Sequence, residues 1–87
     1  MNQKTKTKLK NKGFTYYQNN QWEKVECINA GGYEEYKTIT IKPNEEDYLI
    51  RKVSRWYPED NIKLKKTSSK EVTVNEESLI KTLNTFL

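Results

Sequence analysis

The sequence contains no histidine, one cysteine, one alanine, two prolines and three glycines, and each shortage removes a class of function. Without imidazole there is no Ser-His-Asp or Cys-His nucleophile, and the common zinc ligand sets go with it. The lone Cys27 cannot form an internal disulfide, so the chain reads as one made for a reducing, intracellular compartment. Gly13, Gly31 and Gly32 have neither P-loop nor dinucleotide-fingerprint spacing. No long apolar run follows the basic start, which leaves neither a signal peptide nor a membrane span to be expected. Carboxylate pairs for acid–base work remain at Glu34-Glu35, Glu45-Glu46, Glu59-Asp60 and Glu76-Glu77. The second and fourth of these read as first-turn helix residues, and the others fall in polar connections. The expectation is a protein that is not an enzyme and has no metal, no cofactor and no small-molecule substrate.

Positive charge is present, and it is localised. Of 16 Lys and Arg, five stand at alternate positions in the first twelve residues, Lys4, Lys6, Lys8, Lys10 and Lys12, with no acidic residue among them. Beyond position 12 the count is 11 basic against 12 acidic, so the formal charge of +4 belongs to the start and the body is near −1. Clustered lysines attract polyanions through counterion release, which an even spread of charge does less well. The expected division is a basic arm over 1–12, as a strand or a disordered tail, and one α+β domain over 13–87. With 33% hydrophobic residues and a mean hydropathy of −1.07, the core of such a domain is small. Nine Asn and 14 Lys beside a single Ala suggest the AT-rich coding of low-GC bacteria and their phages.

The periodicity gives an order β-β-β-α-β-β-α: an antiparallel three-stranded meander, a helix, a second hairpin and a terminal helix. FTYYQ and WEKVECI flank the polar turn Asn19-Asn20-Gln21; Gly31 and Gly32 supply the next reversal, and YKTITIK resumes alternation. Phe14, Tyr16, Val25, Cys27, Ile39 and Ile41 are expected inward, with Tyr17, Trp22, Tyr36, Thr38 and Thr40 on the opposite face. PNEEDYLIRKVSRWYP carries Asn44 as a cap, acids in the first turn and Pro58 as a stop, predicting a helix over 45–57. Leu49, Ile50, Val53, Trp56 and Tyr57 would pack on one side of it, leaving Arg51, Lys52 and Arg55 with Tyr48 on the other. NIKLKK and KEVTV read as a hairpin around Thr67, Ser68 and Ser69, with Ile62, Leu64, Val72 and Val74 inward. NEESLIKTLNTFL reads as a helix capped by Asn75, with Leu79, Ile80, Leu83 and Phe86 at helical spacing. The shared Asn-Glu-Glu at both helix starts raises the possibility of a duplicated ββα unit.

The binding candidates are therefore the five lysines, the cationic helix face of Arg51, Lys52 and Arg55, and an aromatic platform of Tyr17, Trp22 and Tyr36 on which bases could stack. Residues 13–57, a meander followed by a helix with a tryptophan opening the second strand, resemble the arm-type DNA-binding domains of tyrosine integrases. The resemblance implies DNA contact without assigning residue roles. In its general character the chain is similar to phage accessory proteins, including inhibitors of bacterial defence enzymes. The expected function is engagement of nucleic acid or a nucleoprotein complex by a phage or mobile-element protein. The alternative is a stoichiometric inhibitor of a host protein, of anti-CRISPR type, whose Trp, Tyr and Arg side chains would concentrate binding energy.

Overall fold

β-branched and aromatic residues recur through positions 22–58, with strict alternation at 36–41, and this segment becomes the greater part of a sheet. The computed structural model describes residues 1–58 and 66–86. Helix α1 (Gln3–Asn11) comes first, then strands β1 (Thr15–Tyr16), β2 (Trp22–Ala30), β3 (Tyr33–Asn44), β4 (Asp47–Pro58) and β5 (Lys66–Val74), and helix α2 (Glu76–Phe86). The strands form one antiparallel sheet in sequential order β1-β2-β3-β4-β5. The expected α+β class and the pairing of a five-stranded antiparallel sheet with two helices hold, but the order is α-β-β-β-β-β-α.

Three expectations are corrected. The predicted helix over 45–57 is β4: Asn44 pairs with Asp47 across a two-residue turn, Glu45-Glu46, in which Glu45 takes a φ of 58°. A strand offered hydrogen-bond partners by β3 on one side and β5 on the other outcompetes an isolated capping signature. β4 is also rich in residues that suit a pleated surface, among them Tyr48, Ile50, Val53, Trp56 and Tyr57. Secondly, Thr67, Ser68 and Ser69 do not turn but lie within β5, opposite Arg55, Ser54 and Val53; Ile62 and Leu64 fall outside the described residues. With β4 in place of a helix, neither the ββα repeat nor the meander-then-helix pattern of the integrase domains is present.

Thirdly, the lysine-rich start is neither strand nor tail. Asn2 caps α1 by accepting the Thr5 amide at 2.8 Å, and Thr5 and Leu9, one turn apart, are both buried. The exit is a Schellman closure: Gly13 at φ 93° donates its N–H to Lys10 at 3.0 Å, and Phe14 donates to Leu9 at 3.1 Å. Leu9 and Phe14 then meet in the core. Asn75 caps α2 as expected, accepting the Ser78 amide at 2.9 Å. Glu76 ties the helices together, accepting from the Asn2 amide at 2.9 Å and from the Thr5 hydroxyl at 3.3 Å. The Asn2 hydrogen bond is the main influence holding the Glu76 carboxyl below its usual range, against the opposing effect of its own partial burial.

Both helices pack on one face of the sheet, where Leu9, Leu79 and Leu83 meet Trp22, Ile39, Ile41, Tyr48 and Ile50. The register explains which strand residues these are. Trp22 lies opposite Ile41, which lies opposite Ile50, which lies opposite Val72. Strands of 12 residues run about 40 Å, whereas helices of 9 and 11 residues span only about 14 and 17 Å. Among the described residues, the covered face is thus closed at one end only, and the other face carries no helix.

Candidate functional site

The helix-free face is built from the residues that alternate with the core. Reading across from β2 to β5, one row is Cys27, Tyr36, Arg55 and Thr67, the next is Val25, Thr38, Val53 and Ser69, and the next is Glu23, Thr40, Arg51 and Glu71. Glu34 and Tyr57 flank the first row. The face therefore interleaves cations, aromatic rings and hydroxyls. A groove of about 580 Å³ runs along it, lined by Val25, Glu34, Tyr36, Thr38, Arg55, Tyr57 and Pro58. A smaller recess of about 180 Å³ continues it past Thr38, Thr40, Lys42, Arg51, Val53 and Arg55. A third, of about 240 Å³, reaches Tyr17 beside Thr40 and Lys42.

Arg51 and Arg55 are both exposed and stand four residues apart on a strand, about 13 Å along it. The Arg51 Nε lies 3.4 Å from Glu71, with both side chains about half exposed, a geometry that restrains the guanidinium weakly. Among the described residues no carboxylate is ion-paired with Arg55. Tyr36 is held from two sides: its ring meets Tyr57 edge-on at 5.7 Å between centroids, and its hydroxyl donates to Glu34 at 3.0 Å. The hydrogen bond to Glu34, reinforced by Cys27, pushes the phenol up to about 12, so Tyr36 stays a neutral donor throughout the physiological range.

The structure separates residues that the sequence grouped. Arg51, Arg55 and Tyr36 do share a face, with Tyr17 at its margin, although on strands rather than on a helix. Lys52 points the other way, since it sits opposite Ile39 and Lys70 on the helix side. Trp22 belongs to the core at 1% exposure, edge-on to Tyr16 at 5.0 Å, and its buried indole N–H has no hydrogen-bond acceptor among the described residues. Trp22 thus drops out of the stacking platform, while Val25 and Cys27, expected inward, lie on the open face. β2 is out of phase with the expectation by one residue, and a one-residue slip moves every side chain of a strand to the other face. Lys4, Lys6, Lys8 and Lys10 occupy α1 on the covered side, and Lys12, at its C-cap, is hydrogen-bonded to Asn84. The sheet's thickness divides them from the arginines.

Residues the sequence reading did not propose as a site include Lys42, Thr38, Thr40, Val53 and Tyr57. Their signal was the even–odd alternation of β3 and β4 taken together, once β4 is read as a strand. Among the described residues, no group of three or more Cys, Asp or Glu is placed to hold a metal ion, and no helix is long and apolar enough to cross a membrane. The chain matches no protein-family model, no curated protein and no solved structure.

Proposed function

We propose that this chain is a non-enzymatic binding protein of phage or mobile-element type that takes single-stranded nucleic acid, free or within a nucleoprotein complex, on its helix-free sheet face. The observation that carries this reading is the alternation of Arg51, Arg55 and Lys42 with Tyr36, Tyr57 and Thr38 on one open groove. Cations at this spacing suit successive phosphates, and tyrosine rings offer stacking that does not depend on base identity. A sheet face suits a single strand better than a duplex, whose bases are already stacked. The α1 lysines lie on the reverse side. They contribute to the field that draws a polyanion in rather than to the groove itself.

Binding of labelled single-stranded DNA and RNA, followed by anisotropy over a salt series, tests the reading. Three phosphate contacts give a slope near 2 in log affinity against log salt, at about 0.7 per contact for single strands. Arg51→Ala with Arg55→Ala should leave the fold intact and weaken binding at least about tenfold, or roughly 1.4 kcal/mol. Undiminished affinity in the folded double variant would remove the groove from the interface.

The rival reading, a stoichiometric inhibitor docking on a host enzyme, is favoured by one observation. Tyr17, Val25, Ile28 and Tyr33 are all at least 39% exposed on a body of nearly neutral charge. Recovery of one protein partner in equal amount before and after nuclease treatment of a bacterial lysate, with no oligonucleotide bound by the pure chain, would select that reading.

A further inference from the structure

The two edges of the sheet are unlike. β5 presents Lys66, Thr67, Ser68, Ser69 and Lys70, all exposed, a polar edge of the kind that discourages further strand pairing. The free edge of β2 is less polar, and its two charges, Lys24 and Glu26, neutralise each other at 3.1 Å. β1 covers only Trp22 and Glu23, so Lys24 to Ala30 have no strand beside them among the described residues. That free stretch holds no proline or glycine, and it exposes Val25 (55%) on one face and Ile28 (39%) on the other.

The direction of its backbone groups follows from two independent observations. The Tyr17 N–H donates to the Gln21 carbonyl at 2.7 Å, so Gln21, and every second residue after it, turns its backbone groups toward the β1 side. At the other end, Ala30 and Tyr33 close a two-residue turn, the position of a hydrogen-bonded pair, so the even-numbered residues of β2 bond to β3. Val25, Cys27 and Asn29 therefore aim their N–H and C=O groups at open solvent.

We infer that this edge pairs with the same edge of a second copy, antiparallel about a two-fold axis at Cys27. Two conditions give the same centre. Cys27 is the midpoint of the free stretch 24–30, bounded by the β1 pairing and by the Gly31-Gly32 turn. It is also the centre that matches every outward-facing residue with another, Val25 with Asn29 of the second copy, Cys27 with Cys27, and Asn29 with Val25. Shifting the axis to Glu26 would set two glutamates face to face and run the strand into β1, and shifting it to Ile28 would leave Val25 unpaired. On the helix side this register puts Glu26 opposite Ile28, with Lys24 already paired to Glu26 in its own chain at 3.1 Å. The result is a ten-stranded sheet in which the rows of Tyr36 and Arg55 from both copies run on through Cys27 as one surface. The inference does not depend on the nucleic-acid reading, since it rests on the edge and not on the groove.

Sedimentation of the full chain under reducing conditions, from about 10 µM to about 1 mM, covers the range in which so small an interface dissociates. It should show a reversible dimer. Opposed residues of a hydrogen-bonded pair hold their Cβ atoms about 5.5 Å apart, beyond the roughly 3.5–4.5 Å of an unstrained disulfide but within reach of a short bismaleimide. A short bismaleimide should therefore convert the wild-type dimer to a Cys27-linked species, and Cys27→Ser should abolish the link while keeping the reversible dimer. Ile28→Glu sets four glutamates around the axis and should weaken dimerisation at least about tenfold. Combining it with Glu26→Lys sets opposite charges across the axis and should restore the dimer. A monomer at every concentration, a dimer indifferent to Ile28→Glu, or no recovery in the folded charge-swapped variant would each overturn the inference.

Discussion

The two faces of this sheet are made from alternate residues of the same strands, yet they carry different burdens. On one, Trp22, Ile39, Ile41 and Ile50 are at most 1% exposed beneath Leu9, Leu79 and Leu83. On the other, Arg51, Arg55, Thr38 and Tyr36 stand in solvent or half-covered. Stability resides in the first, and in our reading recognition resides in the second. A small domain can then vary its binding chemistry without touching its core, because the period of two assigns each substitution to one face.

The largest effects that could break this contrast lie on the covered face. Leu79→Ala or Ile41→Ala should cost about 2–5 kcal/mol by cavity formation, enough to threaten a domain whose whole stability is on the order of 5–10 kcal/mol. Val53→Ala and Thr38→Ala on the open face should change it by less than about 1 kcal/mol. Urea denaturation measures both, and similar losses on the two faces would erase the distinction. Gly13→Ala ranks next: a side chain at φ 93° strains the α1 exit, so a loss of about 1–2 kcal/mol is expected by the same measurement.

A smaller effect sharpens the role of α1. Lys4 and Lys8, Lys6 and Lys10, and Lys8 and Lys12 are like-charged pairs at i, i+4, each unfavourable by about 0.2–0.5 kcal/mol. Lys6→Glu, away from the last turn, replaces one of these repulsions with a Glu-to-Lys attraction and should raise stability by roughly 0.5–1 kcal/mol at low salt, an advantage that shrinks as salt is added. Glu76 gives the smallest signal. Its carboxyl is depressed in the folded state, so the stability it contributes is fully present above the ordinary carboxylate value and is lost as pH falls through its lower folded value. Glu76→Gln should flatten the acid limb of the stability profile in that window and leave the neutral region with a modest, pH-independent loss.

The same tripeptide, Asn-Glu-Glu, stands at 44–46 as a hairpin turn and at 75–77 as a helix start, and the pair shows where sequence reading succeeds and fails here. After Asn75, Leu79 and Leu83 fall one turn apart and Asn75 finds the Ser78 amide, so local and tertiary signals agree. After Asn44, Tyr48 and Ile50 alternate toward the core, and strands on both sides complete the backbone hydrogen bonds. Fold class, α2 and the turns at Asn19-Asn20 and Gly31-Gly32 were legible because their chemistry is local. The phase of β2 was not, because both settings place apolar residues inward, and only burial of the large Trp22 side chain beneath the helices decides between them. α1 was legible in principle: Leu9, four residues before Gly13 and followed by Phe14 after it, is a C-terminal closure signal obscured by the lysines. Of the candidate site, Arg51 and Arg55 were picked out as neighbours on an expected helix face, and Tyr36 and Tyr17 from the alternation of the expected meander. Their company on a sheet follows from a register that the sequence does not print.

The central claim, that recognition belongs to the helix-free face, is tested most directly by following side-chain resonances during titration with a single-stranded oligonucleotide. The Arg51 and Arg55 Nε–H signals and the methyls of Val25, Thr38, Thr40 and Val53 should shift together and saturate at one stoichiometry, while those of Leu79, Leu83, Val72 and Ile28 stay in place. Shifts confined to α1 and the helix side, with the arginine signals unmoved, would contradict the account.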